Sequence, residues 1–168
     1  MVGCVFCDII KKKANVLYED EKVFVMLAPD PATAGHVLVL PKEHAAILEQ
    51  VPDLVVAELF KVANKVGVAI FEAFGAQGTN VLVQNGPAAG QKQNHVLLHV
   101  LARFENDGLQ LTWTPKQASD DELAQAELLI KGETKSVGIF EKEKPKPIEE
   151  EKPKELKKED YRLRRRVP

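Results

Sequence analysis

The chain has 168 residues, of which 45% are hydrophobic and 29% are charged, and its formal net charge is -2. These values are typical of one soluble globular domain and exclude a mainly disordered or membrane-embedded chain. A net charge so close to zero gives no reason to expect nucleic acid or an anionic membrane as a partner.

The N-terminal apolar stretch, residues 2–10, is short and comes before its basic residues. A signal peptide has the opposite order, and a membrane span needs about 20 apolar residues. We therefore expect a cytoplasmic protein. Cys4 and Cys7 have the spacing of half a metal site in a reducing compartment, with a redox pair or two buried thiols as alternatives.

Two short runs rich in β-branched residues, 23–27 and 37–40, predict strands joined by a loop that contains proline and glycine. The next segment has apolar residues at helical spacing between Pro52 and Gly75, which predicts one long amphipathic helix.

Residues 80–83 and 95–101 predict two further strands, separated by the loop 84–91. Ser119 and Glu122 form a plausible capping box for a second helix, which Lys131 and Gly132 would close. The predicted fold class is α+β, an antiparallel sheet packed against one long helix.

After Phe140 the composition changes to Glu, Lys and Pro. We predict one domain over residues 1–138 and a charged C-terminal tail or arm over residues 139–168. The tail ends in a cluster of arginines, residues 162–166, that could bind an anion or could simply be solvated.

Three motifs in this chain resemble those of the histidine-triad (HIT) superfamily, in its zinc-bearing Hint-like branch. They are the N-terminal Cys-Val-Phe-Cys-Asp (4–8), Gly-His-Val-Leu-Val-Leu-Pro-Lys-Glu-His (35–44), and Gly-Gln (90–91) followed by His-Val-Leu-Leu-His (95–99). Their order and spacing match over about residues 4–113, and the resemblance implies a HIT-like fold and a homodimer.

The resemblance also exposes a departure at the family's nucleophile. The middle histidine of the triad attacks the α-phosphate in this family, and Leu97 occupies that position here. Leucine has no lone pair, so it can serve neither as nucleophile nor as general base. The family's ribose-binding aspartate corresponds to Ala28, a second departure in the same direction. Whether Leu97 is natural or introduced stays open.

Other positions implied by the resemblance are retained. His99 matches the phosphate-binding histidine, and His36 matches a buried supporting histidine; both are candidates for a relocated catalytic group. The implied ligand-binding residues are Gln84, Asn85, Gly90, Gln91 and His99. The implied metal ligands are Cys4, Cys7, His44 and His95, a closed four-ligand set that would hold a structural zinc ion.

We therefore predict a zinc-containing protein that binds a nucleotide or phosphorylated small molecule without the family's nucleotidyl-histidine catalysis. The alternative prediction is an enzyme, a nucleotide hydrolase or transferase of this family with a relocated catalytic group. A third hypothesis is an interaction role through the charged tail. No nucleic-acid or membrane partner is expected.

Overall fold

Five antiparallel strands form the centre of the fold in the computed structural model, which describes residues 3–140. In chain order the described strands are β1 (Val16–Glu19), β2 (Val23–Leu27), β3 (Val37–Pro41), β4 (Gly78–Val83) and β5 (Leu98–Arg103). Their order across the sheet is β1-β2-β3-β5-β4. The described α-helices are α1 (Val5–Lys12), α2 (Asp53–Phe74) and α3 (Asp120–Glu133).

Helix α2 covers one face of the sheet, as the sequence predicts. Its buried residues Leu59, Ala63 and Ile70 pack in one core with strand residues such as Val39 and Leu98. The helix follows Pro52, and Gly75 ends it in the left-handed conformation at φ +61°. The predicted α+β class, an antiparallel sheet against one long helix, is confirmed.

The opposite face of the sheet is covered by α1, a helix that is absent from the elements predicted above. Phe6 of α1 packs onto buried residues of β2 and β3 in a cluster that we call the α1-side cluster. Its buried members are Phe6, Phe24, Met26, Leu38 and Leu40. The side chains of β2 and β3 alternate between this cluster and the α2 core, so both strands are buried on both faces.

The last strand begins later than predicted. β5 starts at Leu98 and not at His95, so the expectation that His95 and His99 share one strand is wrong. The backbone N–H of Val96 donates to the carbonyl of Ala45, outside the sheet, at 2.8 Å. This bond keeps the preceding segment beside residues 44–46 and out of the β-ladder.

Helix α3 begins at the predicted capping box. The Ser119 side chain accepts from the N–H of Glu122, and the Glu122 carboxylate accepts from the N–H of Ser119. The helix continues through Gly132 to Glu133, slightly beyond its predicted end. The predicted tail lies outside the described residues from 141 onward, as does its arginine cluster. None of the helices between residues 3 and 140 has the length and apolar character needed to cross a membrane.

Candidate functional site

Two cysteines and two histidines meet where α1 approaches the sheet. Cys4 precedes the first residue of α1 and Cys7 lies in its first turn, while His44 follows β3 and His95 precedes β5. The Cys4 Sγ lies 3.4 Å from Nδ1 of His95, and the Cys7 Sγ lies 3.4 Å from Nδ1 of His44. The candidate ligand atoms of the four residues all lie within 4.8 Å of one another.

These distances fit a tetrahedral metal ion. With Zn–S near 2.3 Å and Zn–N near 2.0–2.1 Å, a tetrahedral angle puts sulfur and nitrogen about 3.5 Å apart. The third sulfur–nitrogen contact, from Cys7 to His95, measures 3.7 Å, so the observed contacts bracket this value. The cluster could therefore hold a metal ion with two thiolate and two imidazole ligands.

A backbone carbonyl prepares His95 for such a role. Its Nε2 lies 3.0 Å from the carbonyl oxygen of Pro41, which can only accept a hydrogen bond, so Nε2 carries the proton. The lone pair of the neutral ring is then on Nδ1, the atom that faces both cysteines. Burial lowers the pKa of His95 and so favours this neutral form.

The burial of Cys7 disfavours ionisation of its thiol when no metal ion is bound. Desolvation raises the pKa of the Cys7 thiol, and its neighbour Cys4 raises it further. A bound cation would reverse this balance, because it stabilises both thiolates directly.

The other two histidines form a separate hydrogen-bonded pair. The backbone N–H of Ala32 donates to Nδ1 of His36 at 3.1 Å, so a neutral His36 carries its proton on Nε2. That Nε2 lies 3.0 Å from Nδ1 of His99 and donates to it. The remaining proton of a neutral His99 is therefore on its own Nε2.

Burial keeps both rings of this pair neutral. It lowers the pKa of His36 to about 4, with a smaller contribution from His99. It also lowers the pKa of His99. At neutral pH the series of hydrogen bonds that runs from Ala32 through His36 therefore ends in a donor, the Nε2–H of His99.

The surroundings of this pair are apolar. Leu97 and Ala28 are both partly buried, and both pack against the α1-side cluster. In the register of β3 with β5, Leu38 of that cluster is paired with His99.

The loop 84–91 contains the remaining predicted ligand-binding residues, and two of its side chains are bonded to protein groups. Gln91 accepts from the N–H of Gly86 and donates to the carbonyl of Ala46. Asn85 accepts from the N–H of Leu48 and donates to the Glu49 carboxylate, which lowers the pKa of Glu49. Both side chains thus hold the loop to residues 46–49.

Gln84 and Gly90 meet at the base of the same loop. Gly90 has φ +89°, and a Cβ placed there would lie 2.8 Å from the Gln84 side-chain nitrogen. The Gln84 amide therefore lies over the glycine backbone, so the two positions are coupled.

The backbone groups that orient the histidines were not found from the sequence. The Ala32 amide and the Pro41 carbonyl each fix which nitrogen of a histidine carries the proton. Every residue has such groups, so no residue type marks their positions. The proline-containing loop before His36 is the available signal, and it indicates a turn without indicating the donor.

Comparison with known proteins places these features in a family context. The family model described as HIT domain matches residues 10–106. A HIT-like protein of Methanocaldococcus jannaschii is 39% identical over 107 residues, covering 62% of this chain and 82% of that protein.

An adenosine 5'-monophosphoramidase of Saccharomyces cerevisiae is 33% identical over 134 residues, covering 77% of this chain and 82% of that protein. A crystal structure described as a zinc-bound histidine triad family protein from Mycobacterium smegmatis is similar at a TM-score of 0.60 and 34% identity, covering 77% of this chain and 96% of the other.

Proposed function

Since this chain belongs to the HIT domain family, we propose that it is a zinc-containing homodimer that binds a nucleotide or another phosphorylated ligand without forming a nucleotidyl-histidine. The ligand lies at His99 and the loop 84–91. The observation that carries the proposal is the ordered pair of His36 and His99, which ends in an N–H donor suited to a phosphate oxygen.

The same pair argues against relocated catalysis. A nucleophilic imidazole needs an unengaged lone pair. The lone pair of His36 accepts from Ala32, and the lone pair of His99 accepts from His36. Leu97 has no lone pair at all, so neither the two candidate histidines nor the residue at the nucleophile position has the free electron pair that attack on phosphorus requires.

The loop side chains contribute mainly by shaping the site. Asn85 and Gln91 are engaged with protein groups and would hold the loop in place. Gln84 lies over Gly90 and would be the loop side chain that contacts the ligand. His99 would supply the contact from the sheet.

Zinc is the metal that the donor set fits best. Two thiolates and two imidazoles in a tetrahedral arrangement are typical of structural zinc, and four protein ligands leave no coordination position for a reacting water. When bound, the ion would tie α1 and the segments at His44 and His95 together. The Mycobacterium smegmatis relative, described as zinc-bound, supports this assignment.

The decisive test is turnover of adenosine 5'-phosphoramidate by the unmodified chain beside its Leu97→His variant, with AMP binding measured on both. We choose this substrate because a relative at 33% identity is named as its hydrolase. We expect AMP binding by both proteins and turnover by the variant alone. Comparable turnover by the unmodified chain, abolished by His99→Ala, would establish the relocated enzyme instead.

A further inference from the structure

We infer that the site beside His99 prefers phosphate monoesters with an apolar body over sugar phosphates with free hydroxyls. This inference rests on the proposed function, because it concerns the body of the ligand whose phosphate His99 would bind. Three observations carry it: the positions of Ala28 and Leu97, the cluster beneath them, and the engagement of the nearby backbone amides.

Ala28 and Leu97 are each close in the chain or by a backbone hydrogen bond to one histidine of the pair. The N–H of Ala28 donates to the carbonyl of His36 at 3.0 Å, which fixes Ala28 beside that histidine. Leu97 is two residues before His99 and directly precedes β5. In the inferred complex, the ligand has its phosphate at His99 and its body over the surface formed by these two residues.

The surface formed by these residues is apolar. Ala28 and Leu97 pack against the α1-side cluster together with Ile9 and Ile10 of α1. Methyl and isobutyl groups neither donate nor accept hydrogen bonds. A ligand hydroxyl pressed against them would lose water without gaining a partner, whereas an apolar group there would gain from burial.

The nearby backbone does not replace the missing polar groups. The N–H of Ala28 is donated to His36, and the N–H of His36 is donated to the carbonyl of Thr33 at 3.1 Å. The N–H of Ala32 is donated to the His36 ring. These three amides are satisfied inside the protein and would have to break a bond to meet a sugar hydroxyl.

Calorimetric titration of the full chain with phenyl phosphate, ribose 5-phosphate and inorganic phosphate tests the inference. Phenyl phosphate and ribose 5-phosphate share the phosphate group and differ in the polarity of the body. We expect phenyl phosphate to bind about tenfold more tightly than ribose 5-phosphate, in line with burial of one aromatic face. Inorganic phosphate reports the contribution of the shared anion alone.

Two neutral substitutions assign the preference to this surface. Leu97→Asn and Ala28→Ser add hydrogen-bonding atoms without adding charge, so at least one should reduce the preference for phenyl phosphate to about threefold or less. Leu17→Asn, on an exposed position of β1, is the matched control and should leave the preference unchanged. Measuring two variants guards against the loss of one through misfolding.

The outcomes separate the inference from the proposed function. Equal binding of the two esters, or tighter binding of ribose 5-phosphate, would overturn the inference and leave a phosphate-binding protein. Absence of binding by all three probes and by AMP would overturn the proposed function as well. Unchanged phenyl phosphate binding by His99→Ala would show that the ester binds elsewhere, which also overturns the inference.

Discussion

His36 makes the fold sensitive to acid. Its ring is buried and its pKa is lowered from 6.5 to about 4, so between these values the unfolded chain binds more protons than the folded one. The part of the folding stability that is linked to His36 is therefore fully present above pH 6.5 and is lost as the pH falls toward 4. The full contribution is on the order of 3 kcal/mol.

His36→Gln separates this titration from the hydrogen bonds. Glutamine can accept from Ala32 and donate to His99 but does not titrate, so the variant should lose less stability between pH 6.5 and pH 4 than the unmodified chain. Urea unfolding at several pH values measures the difference. Parallel pH profiles for the two proteins would show that His36 is not the titrating group.

Gly35, directly before His36, is required for both its conformation and its lack of a side chain. It has φ +79°, and a Cβ there would lie 3.0 Å from ring carbons of Phe74 at the end of α2. Gly108 has a similar φ of +77° but open space around it. Comparing substitutions at the two glycines therefore distinguishes the cost of backbone strain from the cost of steric contact.

We expect Gly108→Ala to cost about 1 kcal/mol in unfolding free energy through strain alone. Gly35→Ala should cost about 1 kcal/mol more, since the half-exposed Phe74 ring can move aside only in part. Chemical denaturation of both variants gives the comparison. If they lose equal stability, the contact with Phe74 is not restrictive, and adding Phe74→Ala should then make no difference.

At the scale of elements, α1 would depend on a metal ion bound by Cys4, Cys7, His44 and His95 more than the other helices would. It has eight residues, too few to be stable as an isolated helix, and within the described chain its buried anchor is Phe6. Cys4 and Cys7 lie at its N-terminal end, so a bound ion would fix the helix to the segments that contain His44 and His95.

Metal analysis after purification without chelators should give about one zinc per chain, the stoichiometry of a four-ligand structural site. Removing the ion with a chelator should lower the melting temperature and increase hydrogen exchange in α1 before α2. Cys7→Ser should reproduce both effects, whereas Ser119→Ala, which removes the cap of the remote helix α3, should leave exchange in α1 unchanged. Zinc content below a third of an equivalent, or unchanged exchange in α1 after chelation, would contradict the assignment.

The elements that could be predicted are those with an internal pattern. β2, β3 and α2 have apolar residues at the period of their own backbone, and proline or glycine marks their ends. The four residues of β1 are largely exposed and show no such alternation, so this strand could not be distinguished from a loop. The eight residues of α1 begin as a short apolar run, which is too short to distinguish a helix from a strand by its pattern.

The start of β5 and the positions of the histidine protons depend on residues that are distant in the sequence. His95–Leu97 continues the apolar pattern of the strand, but Ala45 binds the Val96 amide instead of a neighbouring strand. The family resemblance implied Cys4, Cys7, His44 and His95 as one group, and the structure brings these four residues together. Their binding of a metal stays a prediction. Which histidine nitrogen carries each proton was not predictable, since the Ala32 and Pro41 backbone groups decide it.

At the scale of the whole molecule, both edges of the sheet expose apolar side chains, and β1 exposes Val16, Leu17 and Tyr18, but the groups beside the two edges differ. Beside β1, Glu19 forms ion pairs with Lys13 and Lys42, and charges of this kind discourage edge-to-edge pairing. At the other edge, β4 presents Val81, which is 42% exposed. Val68 and Phe71 of α2 are exposed beside it, and a shallow cavity lies between them.

The family resemblance implies a homodimer, and we propose that its contact is formed by β4 and α2, where exposed apolar side chains flank a cavity. A second copy would cover the apolar side chains and pair with the free edge of β4, extending the sheet across both chains. Light scattering should then give about twice the 18.6 kDa mass of one chain. The covered surface is apolar, so raising the salt concentration should not dissociate the dimer.

Phe71→Lys should shift the protein to monomer, because a second copy would bury an unpaired charge in the apolar interface. Leu17→Lys is the matched control, since Leu17 is similarly exposed on β1, and it should remain dimeric. A monomeric mass for the unmodified chain would exclude the dimer. A dimer that Leu17→Lys disrupts while Phe71→Lys does not would place the contact at β1, and the charged groups around Glu19 would then have to be part of the interface.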